Sequence, residues 1–212
     1  MLAQDHERLA LAEQLWRERM HTDPLALEAS SPAVRDALGS IWEPSLKMRR
    51  WLATVPAGLL TLWLASERGH LVFGASSGRY LPGRGAWHGQ ELDGICLIAA
   101  EDVILCPLEA LAPIGQLVDH LLGSNARADG PWFSDGAGLT PELRSLSARF
   151  GRIRALGYAA DEADPRGYFA RTWAMYVLDA ARLNVLDPLA YRMFRTTVMS
   201  DEWWNARECA DS

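Results

Sequence analysis

A polar residue followed directly by proline recurs along this chain, at Ser31-Pro32, Thr140-Pro141, Asp164-Pro165 and Asp187-Pro188, and it constrains the fold more than any other local signal. Proline at the first helical position gives up an amide that has no partner there, and its fixed φ already suits a helix. The oxygen-bearing side chain before it accepts a hydrogen bond from an amide in the first turn. From residue 140 onward the chain is therefore expected to be a series of separate helices. The first carries Leu143, Leu146, Phe150 and Ile153 on one face and ends at Gly157. The next turns Phe169, Trp173, Tyr176 and Val177 inward, and the last carries Tyr191 and Phe194.

The first fifty residues also read as helical. Leu9, Leu11, Leu15, Trp16 and Met20 mark one apolar face. Val34 and Leu38 follow Ser31-Pro32 up to Gly39, and a third short helix carries Leu46, Met48 and Trp51. The middle changes character. Residues 59–64, apolar apart from Thr61, read as a buried strand that pairs through the turn at residues 67–69 with a second strand at 70–73. Residues 74–94, rich in glycine and aromatics, read as a long loop, and 95–98 and 103–105 as further short strands. From Pro107 the chain returns to helix, with Ile114, Leu117, Val118, Leu121 and Leu122 on one face and Gly123 as its cap. The expected class is α+β in one domain, 1–212. Its parts are N-terminal helices (1–55), a small mixed sheet (56–106) and a helical lobe (107–200).

Charge narrows the function classes. The net charge is −6 and the pI near 5.4, whereas a nucleic-acid-binding domain usually shows a basic footprint. Arginines gather between Arg144 and Arg195, but Asp161, Glu162, Asp164, Asp179 and Asp187 lie among them, which reads as solvated helix faces. The N-terminus has no basic start followed by an apolar run, and the most apolar stretch, 54–66, is too short to cross a bilayer. A soluble, cytoplasmic protein with no nucleic-acid or membrane partner is expected. Cys96, Cys106 and Cys209 are too scattered for a disulfide framework or a paired-cysteine zinc site. The histidines His6, His21, His70, His88 and His120 show no pair four residues apart.

Two segments carry a resemblance. Residues 113–123, Pro-Ile-Gly-Gln-Leu-Val-Asp-His-Leu-Leu-Gly, and residues 164–178, beginning Asp-Pro-Arg-Gly-Tyr-Phe-Ala-Arg, resemble the two motif helices of gluzincin metallopeptidases of the anthrax lethal-factor-like branch. The stretch Leu186-Asp187-Pro188-Leu189-Ala190-Tyr191 is similar to that branch too, and the likeness runs from about Leu60 to Phe194. The resemblance implies a zincin-like fold with both motif helices in the C-terminal lobe. In that family two histidines at i and i+4 and a glutamate from the second helix hold zinc, and a glutamate beside the first histidine is the general base. In this chain the first histidine falls at Ala112, the base at Pro113, the second histidine at Gln116, the third ligand at Gly167 and a later glutamate at Arg171. None of these side chains can do the inherited work. Proline inside a helix costs about 3 kcal/mol, so the helix is expected to begin near Pro113 and to leave Ala112 outside it.

No GxSxG, GxxxxGK[ST] or GxGxxG motif is present. The glycine-rich segment 78–85 does not lead from a strand into a helix; the resemblance implies a place near the edge of the cleft, as a candidate peptide- or partner-contacting loop. Tyr80, Trp87, His88, Asp119, His120 and Tyr158 are candidate cleft lining. Trp16, Trp51, Trp63 and Trp173 fall at core spacing; Trp87, Trp132, Trp203 and Trp204 fall in loops or near the C-terminus. The expectation is a catalytically inactive, metalloprotease-like protein without cofactor that binds a protein or peptide. The alternative is an enzyme of another class, using Asp119, His120, Tyr158, Asp135 or Arg171 in the same cleft.

Overall fold

The computed structural model describes residues 2–22, 42–74, 78–157 and 164–208, together with Pro32 and Arg35. The helical face expected at Val34 and Leu38 lies outside the described residues, as do Tyr158, Asp161, Glu162 and Cys209. Among the described residues the chain runs through α1 (Leu2–Arg19), β1 (Met20–Thr22), α2 (Trp42–Leu52), α3 (Ala57–Ala65), β2 (His70–Gly74), β3 (Arg79–Trp87), β4 (Gln90–Ala99), α4 (Ala100–Leu105) and α5 (Pro107–Ser124). It continues through a single 3-10 turn (Phe133–Asp135), α6 (Pro141–Leu156), α7 (Pro165–Leu186), α8 (Pro188–Thr196) and α9 (Asp201–Glu208). This is a mixed α+β chain, mostly helical, with a small mixed sheet. No described helix is long and apolar enough to cross a membrane.

Three of the four helix starts set by polar-proline pairs are as expected, and Ser31 lies outside the described residues. The Thr140 hydroxyl accepts from the Leu143 amide, the Asp164 carboxylate from the amides of Arg166 and Gly167, and the Asp187 carboxylate from that of Ala190. Each removes an amide that would otherwise be left bare at a helix start. In α1, Leu15 is buried, but Leu9 is 55% exposed and Met20 passes into β1.

Four expectations are corrected in the middle of the chain. Residues 59–64 are not a strand but most of α3, with Leu59, Leu60 and Trp63 buried. A short run apolar on all sides carries no period, so strand and helix cannot be separated within it. The hairpin expected there does not form; the turn at 67–69 leads from helix into strand. The described part of 74–94 is not a long loop: Gly74 ends β2, and residues 79–94 supply β3 and the first half of β4, joined at His88 and Gly89, both with positive φ as a tight hairpin needs. Residues 103–105 belong to α4, not to a strand.

The sheet order is β1-β2-β4-β3, with β1, β2 and β4 parallel and β3 antiparallel at the edge. A register shift between Leu81 and Arg84 bends the hairpin. Alternation divides the sheet. Leu71, Phe73, Tyr80, Cys96 and Ile98 join the main core with the helices, and Val72 forms a smaller cluster with Leu92 and Ile95, against which Leu81, Trp87 and Leu97 pack. The sheet is thus covered by helices on one side and partly by its own bent hairpin on the other.

Two further corrections concern α5. It begins at Pro107, not near Pro113, so Ala112 lies inside the helix and Pro113 is an interior proline. The six residues before Pro113 already contain a proline start, and the carbonyl of Glu109, which Pro113 deprives of an amide partner, faces Gly78. Gly123 is not the cap. It is a buried interior residue against the Pro131–Phe133 backbone, and Asn125 takes the left-handed conformation that ends the helix.

Candidate functional site

The site is built where α5 crosses α7. A Cβ on Gly115 would stand 2.7 Å from both the Cα and the carbonyl oxygen of Ala170, so the two backbones touch there. Only glycine allows that approach. Ala112 and Gln116, four residues apart and hence on one helix face, are partly exposed, as is Gly167, while Arg171 is exposed. These positions flank the crossing on its outer side. β3 enters close by: a Cβ on Gly78 would lie 3.0 Å from the Glu109 carbonyl oxygen and 3.2 Å from the Pro113 ring. The Cys96 thiol of β4 donates to the Pro113 carbonyl at 3.3 Å.

The inner side is polar but closed. Asp119 is fully buried and accepts from the Ser134 amide (2.7 Å) and hydroxyl (2.6 Å). Burial pushes its carboxyl up to about 8, against the pull of the two Ser134 hydrogen bonds. His120 is also fully buried. Its Nε2 lies 3.2 Å from the Gly130 carbonyl and its Nδ1 3.0 Å from the Tyr80 hydroxyl. A carbonyl only accepts, so Nε2 carries the proton and Nδ1 accepts from the phenol. Burial lowers the His120 pKa and raises that of Tyr80, which keeps both in the neutral forms this pairing needs. The imidazole stacks on Trp132 (4.6 Å between centroids, 5° between planes), and the Arg166 guanidinium lies 4.4 Å above the indole while pairing with Asp135 at 2.7 Å. On α7, Tyr168 is buried and donates to Asp187 at 2.6 Å.

The candidate lining residues therefore separate. Tyr80, Asp119 and His120 are interior groups with internal partners. Trp87 and His88 lie at the β3–β4 tip, where with His21, Thr22 and Gln90 they line a cavity of about 290 Å³. His88 is thus grouped with β1 rather than with His120. Tyr158 is outside the described residues. Asp119 and His120 spend their polar atoms on Ser134, Tyr80 and Gly130, Asp135 pairs with Arg166, and Arg171 is on the exposed face. Among the described residues, no three His, Cys, Asp or Glu side chains stand where they could hold a metal ion.

Sequence reasoning missed one contact altogether. His21 Nε2 and His70 Nδ1 lie 3.0 Å apart, with β1 pairing with β2 beside them. Burial lowers both, His70 to about 4, with its histidine neighbour and Arg19 acting in the same direction and Asp93 against them. Only the parallel pairing of strands 49 residues apart brings these rings together, so no local pattern could announce it.

Comparison with known protein families, with curated proteins and with solved structures found no match to this chain.

Proposed function

We propose that this chain is a metalloprotease-like domain without a zinc centre, and that it acts by binding a protein or peptide rather than by hydrolysing one. The observation that carries the reading is the α5–α7 crossing. The positions at which the lethal-factor-like branch holds zinc, Ala112, Gln116 and Gly167, all lie on its outer, partly exposed side. The donor set does not fit zinc. Alanine and glycine offer no side-chain ligand, a glutamine amide is a poor one, and Arg171 brings a positive charge to where a cation would sit. Pro113 cannot act as a base. No hydrolytic step through a metal is derived for this chain.

Binding has a natural surface. β3 is the edge of the sheet and enters beside Pro113, and an extended peptide can add to such an edge through backbone hydrogen bonds. The test is metal content by elemental mass spectrometry, on protein prepared without chelator or affinity tag. The expected result is zinc near zero for the native chain and about one per chain for the folded variant A112H/P113E/Q116H/G167E. Zinc near one in the native chain, or none in a folded variant with all four residues replaced, overturns the reading.

A further inference from the structure

The arginines that the sequence intersperses with acids are sorted apart in space. Two adjoining clefts share Trp203 of α9. One, of about 750 Å³, is lined by Tyr191, Arg192 and Arg195 of α8, and by Ser200, Glu202 and Trp203. The other, of about 460 Å³, lies between α6 and α9 and is lined by Glu142, Ser145, Arg149, Arg152, Trp203 and Arg207. Five arginines thus meet two glutamates in a chain whose net charge is −6.

Helical spacing explains the grouping. Arg149 and Arg152 are three apart on α6, Arg192 and Arg195 three apart on α8, so each pair shares a face. All four are exposed, and among the described residues none forms an ion pair. Three acids between them in sequence are occupied elsewhere. Asp164 caps α7, Asp179 accepts from the Arg182 amide, and Asp187 is buried against Tyr168 and Ala190.

We propose that this groove is a docking surface for a short acidic segment of a partner protein. Paired guanidinium forks match carboxylates geometrically as well as in charge. Nucleic acid fits less well, since single strands are held largely by bases stacking on open aromatic rings. Here the rings are already engaged: Arg207 lies 3.1 Å over Trp203, which also meets Trp204 edge-on, and Tyr191 packs against Tyr176 with Arg195 above it. The acidic remainder of the chain also repels a long polyanion while leaving a short one tolerated. This surface lies on α6, α8 and α9 with Asn184 at the end of α7, away from Ala170 where α5 crosses, and does not depend on the metalloprotease-like reading.

The test is fluorescence anisotropy on the full chain with labelled octaglutamate, octalysine and an eight-residue thymidine oligonucleotide at low ionic strength. Octaglutamate is expected to bind saturably and octalysine not at all. The double variant R149E/R192E, and separately R152A/R195A, should raise the Kd about tenfold or more, while R50E on α2 should change it less than about twofold. Since all the replaced side chains are exposed, circular dichroism should be unaltered. Absence of saturable octaglutamate binding, or binding by both double variants as tight as that of the unsubstituted chain, overturns the proposal. So does tighter binding of the oligonucleotide with the same arginine dependence, which would make the groove a nucleic-acid surface. Binding lost in R79E but kept in R149E/R192E would move the acidic segment to the β3 edge and overturn it as well.

Discussion

The two sides of the α5–α7 pair differ in what holds their residues in place. On the inner side the polar groups have lost water and found partners: Asp119 with Ser134, His120 with Tyr80 and Gly130, Tyr168 with Asp187. The indole N–H of Trp173 is an exception. A buried group deprived of its partner costs about 1–3 kcal/mol, so these residues are bound to one another by the fold. On the outer side Ala112, Gln116, Gly167 and Arg171 border solvent. The lesson is that the inner side of one helix pair carries its stability, while residues on its outer side can be exchanged at little cost.

The largest test of that contrast is Gly115→Val. With the Ala170 backbone 2.7 Å from any Cβ, the helices must part, and a loss of about 3 kcal/mol or more is expected in urea unfolding. A tolerated valine would mean that the crossing is looser than described. Asp119→Ala follows. It leaves the Ser134 amide and hydroxyl buried without their acceptor and should cost about 2–3 kcal/mol, visible as a lower denaturation midpoint with an unchanged slope.

The pH dependence of stability sharpens the comparison further. Asp119 titrates at about 8 when folded and near 4 when unfolded, so between these values the folded state keeps a proton that the unfolded chain releases. Its contribution is full at low pH and is lost as the pH rises towards 8. Asp119→Asn should flatten that decline, and a profile identical to that of the unsubstituted chain would break the assignment. The histidine pair works in the opposite sense. His70 titrates at about 4 when folded and 6.5 when unfolded, so its contribution is full above pH 6.5 and is lost as the pH falls towards 4. His70→Gln should weaken the acid-side loss by about 1–2 kcal/mol, measured as the change in unfolding free energy between pH 6.5 and 4.5. The smallest effect belongs to the outer side, where Gln116→Ala should shift stability by less than about 0.5 kcal/mol. A larger loss there would erase the distinction between the two sides.

Part of the fold was legible in the sequence, and particular residues show why. Thr140, Asp164 and Asp187 announce helix starts because a cap and its amide partner lie within four residues of each other. The strand at His70–Gly74 and the core of β4 at Ile95–Ile98 were readable from their apolar β-branched content. The glycine-rich 74–94 segment was not. Gly83, Gly89 and Gly94 look like loop residues in isolation, yet they sit at positive φ where the hairpin bends and turns, and its pairing is settled across the ladder. Of the candidate site, the sequence did not place Ala112 and Gln116 on one helix face, because the interior proline argued for a start near Pro113; the helix that begins at Pro107 brings them together. Nor did the sequence reveal that Asp119 and His120 look inward, or that His88 sits with His21.

By itself, then, the sequence determined the mixed α+β character and the helix starts at Pro141, Pro165 and Pro188, since those follow from interactions spanning three or four residues. Tertiary structure alone decided which polar groups are buried, that Gly115 meets Ala170, and that Arg149, Arg152, Arg192, Arg195 and Arg207 share a groove while Asp164 and Asp187 are drawn off to a helix cap and the core. Charge order along a chain fixes composition. Charge order on a surface depends on which way each helix turns, and that is set by the packing of its apolar side.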